Sequence, residues 1–322
     1  MAVTVALAGD TMLGRGVAER IDHAPDVRRF FSGDVRALVA GADLFLLNLE
    51  CCVSDRGEPW PAPGKPFFFR APPQAADLLA ELGVGCVTLA NNHALDYGYD
   101  ALADTFAHLS RAGIRYVGAG ACDAAAHRPA VLTAGGLRLG VVGFSDHPSD
   151  FAARADRPGI AYARPAGRGL PPWLQETLAG LRPQADVVLA TPHWGPNMVA
   201  EPRAAVRATA AALLAAGADL VAGHSAHVFH GVAPPVLYDL GDFIDDYAVD
   251  PYLRNDLSLL WLVTLDVRGP VRVTAFPLKL DYTFTRLADP ADRIWIRDRL
   301  ATACAAMGTH VHDEGTSITI DL

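Results

Sequence analysis

Short apolar runs, each closed by one or a few polar residues, recur along the chain. Val3–Leu7 leads into Ala8-Gly9-Asp10, Ala42–Leu49 into Glu50, and Val84–Ala90 into Asn91-Asn92-His93. Arg138–Phe144 leads into Ser145-Asp146-His147, Asp186–Pro192 into His193, and Asp219–Gly223 into His224 and His227. Their β-branched and apolar content suits strands buried on both faces. Between them lie helical patterns at Asp34–Ala42, Gln74–Leu82, Asp100–Ala112 (Leu102, Phe106 and Leu109 on one face), Trp173–Leu181 and Arg203–Ala216. Strand-helix alternation of this kind predicts an α/β fold, in which parallel strands bring their carboxyl ends to one edge.

Two connections break the rhythm. Cys51–Pro73 is proline-rich and carries Trp60 and Phe67-Phe68-Phe69-Arg70, which predicts a lid, a substrate wall or an ordered cover on the sheet. Pro148–Pro172 lacks periodicity and is expected to be an irregular loop beside the site. Farther on, Pro235–Phe243 reads as a strand and polar turn, and Leu257–Asp266 and Val271–Leu280 as a hairpin about Arg268-Gly269-Pro270. Asp289-Pro290 then opens a helix running to about Met307, and Ser317–Leu322 is expected as a last edge strand.

Composition narrows the class. Hydrophobic residues make up 51% of the 322, but no stretch is long and apolar enough to suggest a membrane span. A net charge of −9 without a basic cluster argues against nucleic acid as a partner. Cys51, Cys52, Cys86, Cys122 and Cys304 are odd in number and lack C-x-x-C spacing, which favours free thiols in a reducing cytoplasm. The amino terminus enters its first strand with no basic segment before it, as a structural strand and not a signal peptide does.

The chemistry sits at the strand ends. Asp10 alone is as easily a helix cap, and a lone histidine is more often a satisfied core or surface residue. Six such residues, Asp10, Glu50, Asn92, His193, His224 and His227, each closing an apolar run, point instead to a metal site. Oxygen and imidazole donors without thiolates suit Mn, Fe, Zn or Mg, and this many donors can serve two divalent ions.

Gly9-Asp10-Thr11-Met12-Leu13-Gly14-Arg15, Asn48-Leu49-Glu50, Ala90–Gly98, Pro192-His193-Trp194-Gly195 and Gly223-His224-Ser225-Ala226-His227-Val228 together resemble the CapA-like poly-γ-glutamate capsule-synthesis proteins. That family is similar to calcineurin-like metallophosphatases, which implies a four-layer αββα sandwich with two divalent metals at the strand ends. It implies a catalytic unit over residues 1–247, with the strands and helix of residues 248–322 completing the same domain. Carried over, Asp10 and His227 hold one metal, Asn92, His193 and His224 the other, and Glu50 bridges. His93 matches the acid/base histidine, oriented by Asp96, while Asn91 is the weaker ligand candidate of the Asn91-Asn92 pair. Met12 stands where metallophosphatases carry the histidine of Asp-x-His, so the first metal is expected to be more open or more weakly held. The resemblance extends to soluble members of lasso-peptide pathways that look like peptide epimerases.

These expectations define a metal-dependent cytoplasmic enzyme that tailors a peptide or polyglutamate-like substrate by Cα-epimerisation or hydrolysis, with no membrane partner. A phosphoester hydrolase, a capsule-related CapA protein and a non-enzymatic polyglutamate binder are the alternatives. Asp242, Asp245 and Asp246 are left open between the metal edge and solvated loop acids, and His147 and His230 between a structural role and an approach to the substrate.

Overall fold

A computed structural model describes residues 2–164 and 169–322. It contains two large β-sheets stacked face to face, with helices on both outer faces. The ten-stranded sheet runs, from one edge, Val311–Asp313, Ile318–Ile320, Gly269–Asp281, Leu257–Asp266, Val3–Thr11, Leu44–Leu49, Cys86–Thr88 and Arg115–Val117, with Asp242–Ile244 and Phe284–Leu287 joined at its flanks. Val3–Thr11 is parallel to Leu44–Leu49 and antiparallel to Leu257–Asp266, so the C-terminal strands extend the same sheet as the first strand. The six-stranded sheet has Leu137–Ser145, Val187–His193, Leu220–Ala222 and Val236–Leu237 in parallel at its centre.

Three apolar layers hold this together. Between the sheets, Val5, Leu7 and Trp261 of one face Val141, Leu189 and Leu220 of the other. Outside the larger sheet, Val35, Leu79 and Leu102 bring helices Gly33–Ala40, Gln74–Glu81 and Gly98–Arg111 onto Phe45 and Leu47. Outside the smaller, Leu178 and Leu213 of Pro172–Leu181 and Ala204–Ala215 cover Val188 and Val221. Each large side chain buried this way contributes about 1.5–3 kcal/mol. The result is the four-layer αββα sandwich expected from the sequence. Asp289 caps the last helix, Pro290–Ala305, accepting hydrogen bonds from the N–H groups of Ala291 and Asp292.

Several expectations need correction. Ile318–Ile320 is not an edge strand: it is paired on both sides, by Gly269–Asp281 and by the unforeseen Val311–Asp313. The long hairpin turns at Val267-Arg268, because Gly269 and Pro270 are already paired in the strand. Arg15–His23 is a helix that the sequence reading did not delimit. The Pro148–Pro172 connection contains a turn at Ser149–Phe151 and a two-residue strand, Gly159–Ile160; its residues 165–168 lie outside the described residues. Among the described residues no helix is long and apolar enough to cross a membrane.

Candidate functional site

Asp10 lies at the carboxyl end of the first strand, and its register partner across a parallel pairing is Asp242. Two glycines make that approach possible. A Cβ on Gly9 would overlap the carbonyl oxygen of Gly241, and Gly241 itself adopts φ +80. Asp10 N–H donates to the Gly241 carbonyl at 2.9 Å, so the two Gly-Asp pairs set their carboxylates side by side. Asp242 is fully buried and is no solvated loop acid, and Asp245 is buried too.

The turn after Cys86–Thr88 is held by Asn91. Its amide donates to Asn48 Oδ1 at 2.9 Å and to the Leu49 carbonyl at 2.8 Å, and its Oδ1 accepts from His93 N–H at 3.0 Å. Asn48 in turn donates to Asp10 Oδ1 at 2.7 Å. Asn91 is thus occupied in shaping the turn, while Asn92 Oδ1 is buried with no hydrogen-bond partner.

The smaller sheet supplies the imidazoles. His193 Nε2 lies 3.4 Å from Glu50 Oε1. His227 Nδ1 lies 2.9 Å from Asp242 Oδ1, 3.4 Å from Asp10 Oδ2 and 3.9 Å from Glu50 Oε2. His224 Nδ1 lies 3.5 Å from Asp10 Oδ1, while its Nε2 meets Thr191 Oγ1 at 2.9 Å. The two oxygens of Glu50 therefore face different histidines. Ser225 (φ 112) and His227 (φ 59) adopt left-handed backbone, and Ser225 N–H reaches Asp10 Oδ2 at 3.2 Å. Left-handed backbone in non-glycine residues is costly and concentrates where function requires a fixed geometry. Every oxygen donor (Asp10, Glu50, Asn92, Asp242) comes from the larger sheet's strands and their ends, and every imidazole (His193, His224, His227) from the smaller sheet's.

Charge and burial show what this cluster lacks. Burial and the neighbouring Asp10 charge push the Glu50 carboxyl well above its ordinary range. Burial, with Asp245 and Asp10 nearby, does the same to Asp242. At Asp10 burial opposes ionisation, but the His224 imidazole beside it and the charges of His227 and His193 hold its carboxyl below the usual range. Burial and His147 push His193 well down. At His227 burial is outweighed by Glu50 and Asp10, so its pKa is raised.

Glu50 Oε2, Asn92 Oδ1, His193 Nδ1, His224 Nδ1 and Asp242 Oδ2 are all buried without a hydrogen bond among the described residues. Unmatched buried acceptors are expensive unless a ligand satisfies them. Donor atoms of Asp10, Glu50 and His227 lie within 4.8 Å of one another. The residues present therefore fit divalent cations. Met12, fully buried, is turned to local use, its sulfur accepting from Gly14 N–H at 3.0 Å.

Beside the cluster is a second device. His93 Nδ1 and Asp96 Oδ2 are 2.6 Å apart; a carboxylate accepts, so the proton sits on Nδ1 and Nε2 carries the free lone pair. Asp96 Oδ2 also accepts from Phe69 N–H at 2.6 Å, and Lys65 Nζ lies 2.8 Å from Asp96 Oδ1. Lys65 also donates to the Asn92 carbonyl at 2.6 Å. The Phe69 ring packs against the His93 ring, with centroids 4.1 Å apart and planes tilted by 31°. Burial lowers the His93 pKa against the pull of Asp96, which keeps Nε2 a proton acceptor near neutral pH. The proline-rich connection is thus an ordered wall bonded to the His93–Asp96 pair.

His147 stands at the smaller sheet's edge, its ring 5.1 Å from that of His193 and its Nδ1 2.5 Å from Asp146 Oδ1. His230 is buried and bonded to the Val199 carbonyl at 2.9 Å, away from the carboxylates. The sequence left Asp242 open between the metal edge and a solvated loop, and it did not single out Lys65. The signal for the first was present, since Gly241-Asp242 repeats Gly9-Asp10; nothing marked Lys65.

The model of the family described as bacterial capsule synthesis protein PGA_cap matches residues 4–247. The chain is 33% identical to a probable polyglutamine synthesis accessory protein of Mycobacterium tuberculosis, over 96% of this chain and 93% of the relative. It is 26% identical to the PGA biosynthesis protein CapA of Bacillus subtilis, over 86% of this chain and 72% of that one. A crystal structure of a hypothetical protein from Thermus thermophilus covers 86% of this chain and 99% of its own, at 16% identity and a TM-score of 0.47. By its motifs, their order and the extent of the match, the chain belongs to the PGA_cap family of bacterial capsule synthesis proteins.

Proposed function

We propose that the protein is a divalent-metal-dependent enzyme that acts on a glutamyl-type peptide chain, by Cα-epimerisation or amide hydrolysis. The observation that carries this reading is the pairing of unsatisfied buried donors with an ordered acid/base histidine at the same edge. Asp10, Glu50, His227 and Asp242 would hold one cation, Asn92, His193 and His224 the other, with Glu50 between them. Asp242 supplies an oxygen donor on the side where Met12 offers no imidazole. Relatives described by polyglutamine synthesis and PGA biosynthesis favour a polymeric glutamyl substrate over a phosphoester.

Bound divalent cations supply Lewis acidity towards a carbonyl oxygen. The protein's own part is proton transfer and positioning. In epimerisation, His93 Nε2 takes the proton from Cα, the C–H electron pair moves into the adjacent carbonyl, and a proton delivered by solvent water to the opposite face inverts the centre. In hydrolysis, His93 Nε2 takes a proton from the water that attacks the carbonyl carbon, and then gives that proton to the amine nitrogen as the C–N bond breaks. Asp96 fixes the ring and its tautomer in both, and Lys65 and Phe69 N–H fix Asp96.

The test is incubation of the metal-loaded protein with γ- and α-linked glutamyl peptides in D₂O. Deuterium at Cα without cleavage marks epimerisation, and new termini mark hydrolysis. Full metal loading with neither product from any glutamyl peptide would overturn the reading.

A further inference from the structure

Arg15 is the first residue of its helix and has a left-handed backbone, φ 49, without being glycine. Its guanidinium lies against three aromatic rings, with centroids 5.5 Å (Phe67), 5.0 Å (Phe69) and 5.3 Å (Tyr247) away. Two of these rings also touch the site: Phe69 packs tilted against His93 at 4.1 Å and Tyr247 meets His227 edge-on at 5.4 Å. Arg15 is therefore one ring away from both the acid/base histidine and a proposed metal ligand. Its side chain remains 34% exposed, which places the cation at the open rim above them.

Asp246 grips one edge of the guanidinium, accepting from Nε at 2.9 Å and from Nη2, while its other oxygen takes Gly16 N–H at 3.0 Å. A guanidinium has five N–H donors. Both Nη1 donors and one on Nη2 have no partner among the described residues. The other cations of this wall are occupied: Lys65 on Asp96 and the Asn92 carbonyl, Arg70 on the Arg56 and Gly57 carbonyls. A clamped, aromatic-backed guanidinium with a free fork is built to take a planar anion bidentately.

We infer that Arg15 is the specificity residue of this site, gripping a free carboxylate of the substrate next to the amide or Cα on which His93 acts. The ligand class is a peptide with a carboxylate beside the reacting unit, such as a glutamyl chain, and not its amidated glutaminyl counterpart. This rests on the reading of the site given above and specifies the substrate group it recognises. Because Asp246 offsets the charge of Arg15 and the chain carries −9 overall, the preference for a carboxylate comes from the short-range hydrogen bonds of the free guanidinium edge and from any bound cations.

The experiment compares equilibrium binding of a pentaglutamyl peptide and its pentaglutaminyl analogue to the metal-loaded protein, for wild type, Arg15→Gln and Arg15→Lys. Wild type should prefer the glutamyl peptide by at least tenfold. Arg15→Gln should abolish that preference, and Arg15→Lys, which keeps charge and stem but not the fork, should retain only part of it. Elemental analysis and the melting temperature confirm that metal content and folding persist. Equal affinity of wild type for the two peptides, or an Arg15→Gln protein that keeps the preference, would overturn the assignment. Selective binding without any turnover would instead leave Arg15 in place and count against the enzymatic reading alone.

Discussion

Replacing Asp96 by Asn tests the acid/base assignment most directly, because the structure separates its effect on rate from its effect on folding. Asp96 Oδ2 accepts two hydrogen bonds, from His93 Nδ1 and Phe69 N–H, each 2.6 Å long, and Asp96 Oδ1 faces Lys65 at 2.8 Å. An amide has the same shape and keeps one oxygen. If that oxygen stays on Phe69 and His93, the amide nitrogen meets the Lys65 ammonium; if it turns to Lys65, the nitrogen faces Phe69 N–H and forces His93 to carry its proton on Nε2. In either arrangement the charge that stabilises protonated His93 is gone. Removing the charge of a fully buried carboxylate paired with Lys65 should cost about 3–5 kcal/mol of stability. The rate should fall by about 10²–10⁴, the range for a positioned general acid/base, which corresponds to about 2.7–5.4 kcal/mol of barrier. The assay is deuterium incorporation at Cα, or release of termini, on the better of the two glutamyl peptides, alongside denaturant unfolding and metal content. A variant with full metal content whose rate stays within threefold of wild type would refute the role given to His93 and Asp96.

Other outcomes follow from particular contacts. His193→Ala removes an imidazole placed 3.4 Å from Glu50 and should cut metal content by at least one equivalent, measured by elemental analysis; unchanged content would remove His193 from the ligand set. Gly9→Ala should lower stability by more than about 3 kcal/mol in denaturant unfolding, because its Cβ would overlap the Gly241 carbonyl and part Asp10 from Asp242; near-wild-type unfolding would show that the strands can separate freely. At Asp256 burial works against the charge, but hydrogen bonds from Arg254 and Lys279 outweigh it and hold the carboxyl below its ordinary range. The stability it gives is therefore complete above the unfolded-state value of about 4 and is lost as pH falls through the lower folded-state value. Asp256→Asn should accordingly flatten the acid limb of a stability-versus-pH curve, and an unaltered limb would count against this account.

The strand ends were legible because buried parallel strands must be apolar throughout, so a polar residue closing such a run stands out. Asp10, Glu50, His193 and His224 each announce themselves that way. Asp242 did not, because it follows the weakly patterned Pro235–Leu240 and precedes further acids, and a cluster of acids reads as solvent-facing without knowledge of the pairing to Asp10. Lys65 sits in a proline-rich connection where no period places a side chain, and its partner Asp96 is 31 positions on. Ile318–Ile320 looked like an edge because it lies near the end of the sequence, but strand order in a sheet depends on which neighbours complete its hydrogen bonds, and Val311–Asp313 is too short and polar to signal itself. The helix from Arg15 was hidden by the two glycines around it, which mark a turn more strongly than a helix start.

The division of donors between the two sheets bears on which ion the protein prefers. Oxygen-seeking ions such as magnesium would find their favoured partners on one wall only, whereas manganese, iron or zinc accept imidazole from the facing wall as readily. Since every strand of the smaller sheet falls between residues 130 and 237 and every strand of the larger one lies before or after that span, neither part of the chain carries a complete coordination set. Ion uptake in this protein therefore doubles as a gauge of whether its two halves have closed upon each other.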